Sequence, residues 1–239
     1  MSIIAINCFA IDGGGGGPTD PYWANVGFLL QPAGPDGSTS FVDVATAKTI
    51  TAQGSAEMDT AVTVYSPATL KTTIGGASDG ISAPDSPDWA FGTGEFTVEC
   101  FIQMASAGAD MAIMGQWGSG AAWFFYVEGG TLKFRFFDTG DNLRDVDYVW
   151  STRTTGVTYH LAATRDGSGN IRLFIDGVLV QTTNRPQAMK DTLGFFSVGY
   201  LPGFGGYDSA AYFDQVRITK GVARYTATFT PPAAAFPTS

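Results

Sequence analysis

Aromatic side chains in two glycine-rich stretches are the strongest candidates for ligand-binding chemistry in this sequence. One stretch spans residues 200–208 and the other spans residues 115–126. Aromatic rings offer large apolar faces, and tyrosine and tryptophan add a polar group, so these rings suit the C–H faces and hydroxyls of a sugar. The glycine-rich loop at 200–208 would equally suit contact with a neighbouring subunit. The candidate contact residues are Tyr200, Phe204, Tyr207 and Trp117.

Alternation within residues 123–126 indicates that some of these rings pack the interior instead. Side chains point to opposite faces at successive positions of a strand. Trp123 and Phe125 therefore share one face, and Phe124 and Tyr126 share the other. One face must belong to the core, so at least half of the rings are expected to have a packing role.

Catalytic patterns are weak. Glu95 and Glu99 are four residues apart and face the same way on a predicted strand, and a glycosidase needs a pair of carboxylates. However, the single histidine, His160, has no arrangement with serine and aspartate that would indicate a triad. The run of five glycines at 13–17 does not lead into a helix, so it does not predict a phosphate-binding loop. We predict that the protein is not an enzyme.

The elements that must position these residues are strands. Charged residues are only 15% of the chain and there are 31 glycines, which is typical of short strands joined by turns. Residues 131–138 and 160–166 alternate in polarity, and the Asp-Gly pair at 176–177 predicts a tight hairpin within 170–182. One short helical turn is expected at 220–226. The pattern predicts an all-β fold, a two-sheet antiparallel β-sandwich of the jelly-roll type.

Charge and hydropathy exclude several classes of function. The net charge of −9 repels nucleic acid. No stretch reaches the roughly 20 apolar residues of a membrane span. Cys100 alternates with polar neighbours and is predicted to be a buried thiol, whereas Cys8 lies near the amino terminus. Two cysteines and one histidine do not suffice for a disulfide framework or a zinc site.

The amino-terminal residues divide from the rest. Residues 1–11 are an apolar peptide, 12–20 a glycine-rich linker, and 21–239 one sandwich domain, which the proline-rich tail is expected to terminate. Both faces of the peptide are apolar, so as a strand it requires burial on two sides. It either folds back on its own sandwich or adds a strand to another protein, with the glycines as a tether, and we favour the tether. The candidate anchor residues are Ile3, Ile4, Ile6, Phe9 and Ile11.

Three segments resemble a known family. Residues 86–102, 159–180 and 212–232 are similar to laminin-G-like, concanavalin A-like jelly-roll domains, and most similar to those of bacteriophage and bacterial surface proteins. The resemblance covers about 21–239 and implies two curved antiparallel sheets. It also implies a rim calcium ion held by Asp214, with Asp79 as a further ligand, although Gly75 replaces an aspartate that is frequent in relatives.

The resemblance, above all in residues 217–226, implies a virion. The expected function is therefore that of a non-enzymatic phage structural protein on the particle surface, anchored to capsid or tail subunits through residues 1–11. Its jelly-roll domain is expected to bind cell-surface glycans and to be multimeric in the assembly. The alternative is a decoration, or cement, protein that stabilises the particle without binding sugar.

Overall fold

The computed structural model describes residues 19–73, 78–117, 120–202 and 207–239. The predicted linker 12–20 lies mostly outside these residues, as do all of the peptide 1–11 and its five anchor residues. The described strands, in chain order, are β1 (Val26–Leu30), β2 (Thr51–Gln53), β3 (Glu57–Asp59), β4 (Thr69–Thr72), β5 (Gly80–Ala83), β6 (Phe96–Met104), β7 (Met111–Trp117), β8 (Trp123–Glu128), β9 (Thr131–Phe137), β10 (Leu143–Val149), β11 (Thr158–Arg165), β12 (Asn170–Ile175), β13 (Val178–Asn184), β14 (Phe195–Val198) and β15 (Ala211–Lys220).

These strands form two antiparallel sheets, which confirms the predicted sandwich. The back sheet has the order β13-β12-β11-β6-β15-β4-β3, with β1 paired to the second half of β15. The front sheet has the order β10-β9-β8-β7-β14-β5-β2. Strand β15 lies in the middle of the back sheet, because β6 borders it on one side while β4 and β1 share the other.

The core between the sheets is held by stacked aromatic rings. Phe91 stacks on Phe96 of the back sheet with ring centroids 4.3 Å apart, and Phe96 stacks on Phe134 of the front sheet at 5.2 Å. Trp123 and Phe196 extend this stack along the front sheet. Such pairs add to the energy of apolar burial, so they set how the two sheets are placed against each other. Cys100 lies in this core, as predicted.

Among the described residues, helix is confined to two 3₁₀ turns, Trp23–Asn25 and Pro87–Trp89. In the described ranges no helix has the length and apolarity that crossing a membrane requires. The helical turn predicted at 220–226 is wrong: Lys220 ends β15, and Gly221 adopts a φ of +82°. Instead of a helix, side-chain contacts hold this segment, since the Arg224 N–H donates to Thr97 and its guanidinium binds Asp20.

The outer face of the back sheet buries an ion cluster consisting of Asp20, Glu99, His160, Arg217 and Arg224. Arg217 donates through Nε and Nη2 to Glu99 at 2.9 and 2.7 Å, and through Nη1 to Asp20 at 3.1 Å. Arg224 binds the same Asp20 oxygen at 2.7 Å, and His160 donates to Glu99 at 3.0 Å. Asp20 is thus part of the folded domain.

The proline-rich tail covers this cluster. Phe236 is buried, with the Arg217 guanidinium 3.7 Å from its ring centroid, and Phe229 stacks on Tyr225. The tail makes no sheet ladder, as its prolines predict, but it is packed rather than merely trailing. The backbone N–H of Asp20 donates to the carbonyl of Ser239 at 2.7 Å, so both ends of the described chain lie on this face.

The hairpin between β12 and β13 has the turn predicted from its Asp-Gly pair. Asp176 and Gly177 have φ values of 50° and 75°, as a type I′ turn requires. A Cβ on Gly177 would overlap the carbonyl oxygen of Phe229 in the tail, whereas one on Gly156, with a φ of +76°, would meet nothing within 4 Å. The two glycines therefore have similar positive φ values but differ in the room available for a side chain.

We predict that Gly177→Ala destabilises the domain more than Gly156→Ala. The control substitution carries only the cost of a positive φ, roughly 1 kcal/mol, and Gly177→Ala adds a clash that must move the tail. Chemical denaturation of the two variants measures the difference. Equal losses of unfolding free energy would show that the tail does not rest on this turn.

The ion cluster predicts a stability loss in acid. Burial opposes ionisation of Glu99, but Arg217, together with His160, outweighs it and holds the pKa of Glu99 at about 2, below its ordinary 4.5. Because the folded pKa is the lower one, this carboxylate stabilises the fold above pH 4.5 and ceases to do so as the pH falls towards 2.

Glu99→Gln should therefore lower the unfolding free energy at pH 7 by about 3 kcal/mol, since it removes the buried negative charge that pairs with Arg217. The variant should also lose less stability than the parent between pH 4.5 and 2. Denaturant titrations across this range, with half-buried Glu57→Gln of the Lys71 ion pair as the control, measure both effects. Parallel pH profiles for parent and Glu99→Gln would contradict the assignment.

Candidate functional site: an aromatic pocket on the front sheet

Strand β8 carries aromatic rings on both faces of the front sheet. Trp123 and Phe125 point into the core, and the Trp123 indole N–H donates to the carbonyl of Trp89 at 3.0 Å. Phe124 and Tyr126 therefore point outward, where they stack on each other with centroids 4.2 Å apart. The alternation predicted from the sequence is confirmed, and it supplies the floor of a pocket.

The aromatic pocket is a shallow, open cleft with a cavity volume of about 20 Å³, room for about one water molecule or one ligand hydroxyl. Six side chains from β7, β8, β9 and the segment after β14 line it: Trp117, Phe124, Tyr126, Arg135, Leu201 and Tyr207. Gly115 on β7 is required beside the floor, because a Cβ there would lie 2.8 Å from Cδ2 of Phe124. The pocket therefore depends on a missing side chain as well as on the rings.

Trp117 and Tyr207 form the walls of the aromatic pocket. The Trp117 ring lies 6.0 Å from that of Phe124, and the Tyr207 ring meets Tyr126 edge-on at 5.8 Å with an interplanar angle of 72°. Both walls are only half-buried, whereas the floor rings are fully buried. The structure thus brings together two of the four residues predicted to contact a ligand.

The floor contains one polar group that the described residues leave unsatisfied. The Tyr126 hydroxyl is buried and has no hydrogen-bond partner among them. Burial raises the pKa of Tyr126, so the hydroxyl keeps its proton and remains a donor. A buried polar atom of this kind requires a partner, and a water or a ligand hydroxyl would supply it.

Charged groups surround the pocket in pairs. Arg135 donates through Nε and Nη2 to Asp145 on β10 at 2.7 and 2.9 Å, and its guanidinium lies 5.4 Å from the Tyr126 ring centroid. The Tyr207 hydroxyl donates to Glu128. Burial, together with this bond to Glu128, raises the pKa of Tyr207 to about 12.

The other two predicted contact residues lie elsewhere. Tyr200 is 4% exposed, its hydroxyl bonds Ser82, and its carbonyl accepts from Ser197, so it cannot offer a surface to a ligand in this arrangement. Phe204 lies outside the described residues. Sequence patterns alone did not identify Arg135 and Leu201 as pocket residues. They also left open which face of β8 points away from the core. The alternation in 131–137 would have placed Arg135 on the outer face, but nothing in the sequence pairs β9 with β8 at this register.

The two aspartates predicted to bind calcium are saturated by protein donors. Asp214 accepts four hydrogen bonds, from the backbone N–H groups of Tyr65, Ser66 and Gln215 and from the Gln215 side chain. Asp79 likewise accepts four, two each from Ser55 and Thr73. No group of three or more His, Cys, Asp or Glu side chains suited to a metal occurs in the described ranges. These donor sets do not fit a calcium ion, which therefore stays a sequence prediction only.

The two carboxylates considered for catalysis make different structural contacts. Glu99 belongs to the buried ion cluster, and Glu95 accepts a hydrogen bond from the N–H of Gly167 at 2.8 Å. His160 is buried against Glu99. Neither glutamate lines the aromatic pocket.

Several solved structures with a similar fold are binding domains. The binding domain of Paraclostridial Mosquitocidal Protein 1 has a TM-score of 0.66 at 14% identity, with 84% of this chain and 50% of that chain covered. The botulinum neurotoxin serotype D ligand binding domain in complex with N-acetylneuraminic acid has a TM-score of 0.64 at 14% identity and covers 84% and 49%. The serotype G binding domain has a TM-score of 0.63 at 10% identity and covers 82% and 48%.

This chain spans about half the length of those structures, and at such identities the likeness shows the fold alone. No curated protein matches the sequence. The family model Laminin_G_3 matches residues 75–224, which include β5 to β15 and all of the described pocket residues. Because this match covers more than half of the chain, the protein belongs to the concanavalin A-like lectin/glucanases superfamily.

Proposed function

We propose that this protein is a non-enzymatic adhesion domain that binds a sugar in the aromatic pocket of the front sheet. The observation that carries the proposal is the Tyr126 hydroxyl, buried in an aromatic floor without a partner among the described residues. Ligand sites are concave and mostly apolar, with few polar groups that fix orientation. A sugar ring offers an apolar face to Trp117 and Tyr207 and a hydroxyl to Tyr126.

The lining of the pocket supports binding without catalysis. None of its six side chains is a carboxylic acid, and glycoside hydrolysis requires two carboxyl groups that flank the bound sugar. Glu128 accepts a hydrogen bond from the pocket residue Tyr207 and a second one from Lys133. The bond from Lys133 is the largest of the causes that lower the pKa of Glu128. The structurally similar Paraclostridial Mosquitocidal Protein 1 and serotype G neurotoxin domains are binding domains, which agrees with adhesion.

The position of the chain ends supports display. Asp20 and Ser239 meet on the outer face of the back sheet, whereas the pocket opens on the outer face of the front sheet. A tether that precedes Asp20 would therefore leave from the side opposite the pocket. An attached domain would present the pocket outward, and many copies would add weak single contacts into firm attachment.

We predict that Tyr126→Phe weakens sugar binding about fivefold, the size of one neutral hydrogen bond, without loss of stability. Stability is retained because the substitution removes a buried hydroxyl that has no described partner. Trp117→Ala should weaken binding about tenfold by removing a wall. A glycan array selects the ligand, isothermal titration gives the affinities, and thermal unfolding gives the stability.

Tyr22→Ala is the matched control, because Tyr22 is 42% exposed at the opposite side of the domain. It should leave affinity unchanged. Normal affinity in both pocket variants would move the site elsewhere, and a parent protein that binds no glycan would overturn the proposed function.

We propose that residues 1–11 attach the domain to capsid or tail subunits of a phage virion, with residues 12–17 as the tether. The support is the resemblance of residues 217–226 to phage structural proteins and the position of Asp20 on the face opposite the pocket.

Deleting residues 1–17 should abolish attachment to particles that lack the protein while the sandwich still folds. Sedimentation with such particles measures attachment, and circular dichroism of the truncated chain confirms folding. If the truncated domain still sediments with particles, its own surface makes the contact, and the decoration-protein alternative replaces the tether.

A further inference from the structure

The charges around the aromatic pocket are unevenly balanced. Arg135 is the only cation among the lining side chains, and Asp145 holds two of its donors. Lys133, two residues before Arg135 on β9, binds Glu128 at 2.8 Å. Each of these cations is therefore neutralised by a carboxylate of the protein itself.

Further carboxylates lie near without such compensation. Asp110 accepts from the backbone N–H of Gly129, and Asp147 lies opposite Lys133 on β10; neither forms an ion pair within the described residues. Two arginines in this region, Arg153 and Arg185, donate to backbone carbonyls and do not line the pocket.

The phenols of the pocket respond to this field. The charges that most affect Tyr126 and Tyr207 are one guanidinium, Arg135, and the carboxylates of Glu128, Asp145 and Asp110. Burial is the largest cause for both phenols; after it, Arg135 lowers the pKa of Tyr126, whereas the bond to Glu128 and the Glu128 charge raise the pKa of Tyr207. A negative ligand group beside Tyr207 would be repelled by the same carboxylate.

We propose that the aromatic pocket selects neutral sugars and discriminates against sugars that carry a carboxylate, such as sialic and uronic acids. This inference rests on the proposed function, since it names the class of sugar for the same site. An acidic sugar would have either to displace Asp145 from Arg135, which would leave Asp145 unpaired, or to bind the remaining Arg135 N–H groups beside the Asp145 charge. A neutral sugar instead uses the Tyr126 hydroxyl and the ring faces, and it leaves both ion pairs intact.

The proposed preference differs from the ligand of a structural neighbour. The structure of the serotype D neurotoxin domain is that of a complex with N-acetylneuraminic acid, an acidic sugar. At 14% identity the shared fold does not carry the ligand across, and the side chains on this face decide what binds.

The test compares sugars that differ only in charge. Hexose oligosaccharides are paired with their hexuronic acid counterparts, and sialylated oligosaccharides are paired with their methyl esters. We expect the neutral member of each bound pair to bind at least about fivefold more tightly at low salt, and this ratio to shrink as salt screens the carboxylates. Titration calorimetry of the full chain at two salt concentrations measures the ratio.

Glu128→Gln should reduce the discrimination, because it removes one carboxylate and frees the charge of Lys133. Glu57→Gln is the matched control, since Glu57 binds Lys71 at 2.9 Å on the other sheet, and it should leave the ratio unchanged. Equal or tighter binding of the acidic members would overturn the selectivity while the proposed function stands. Binding of neither member in any pair would overturn both.

Discussion

The front sheet depends on one constraint: strand β8 must bury aromatic rings on both of its faces. Trp123 and Phe125 complete the stack that joins the sheets, and the Trp123 hydrogen bond to Trp89 fixes their side of the strand. Period-two alternation then forces Phe124 and Tyr126 to the outer face. The core thus determines the floor of the pocket, and a shift of β8 by one residue would destroy both at once.

The two outer faces of the sandwich solve the same problem in different ways. On the back sheet, the carboxyl-terminal tail packs over the ion cluster, with Phe236 on Arg217 and the Tyr225 hydroxyl bonded to Glu99. On the front sheet, Leu201, Trp117 and Tyr207 are the described residues that pack with the floor rings, and Trp117 and Tyr207 stay half-buried. Each face has a buried polar atom without a partner among the described residues, Nδ1 of His160 on the back sheet and the Tyr126 hydroxyl on the front sheet, and of these two residues Tyr126 lines a pocket.

The sequence predicted the architecture better than the site, for physical reasons. The hairpin at Asp176 and Gly177, the buried Cys100 and the split of rings on β8 follow from local periodicity and turn chemistry. By contrast, Arg135 meets Tyr126 only through the pairing of β8 with β9, which local patterns do not specify. Tyr200 was expected at the surface because of its glycine-rich surroundings, but its bond to Ser82 and its burial place it in the interior.

The ion cluster costs desolvation, and a well-packed apolar cluster would often match it in stability. What charges add is geometric definition: one Asp20 carboxylate is bound by both Arg217 and Arg224, and Arg217 lies on the central strand β15. Asp20 is thereby fixed to the middle of the back sheet rather than to an edge. For a domain held by its amino-terminal segment, as proposed, a pull on that segment would reach β15, which β6, β4 and β1 flank along its length. Strands in the middle of a sheet cannot be peeled away one hydrogen bond at a time as an edge strand can, so this attachment suits a domain that must stay folded while it adheres.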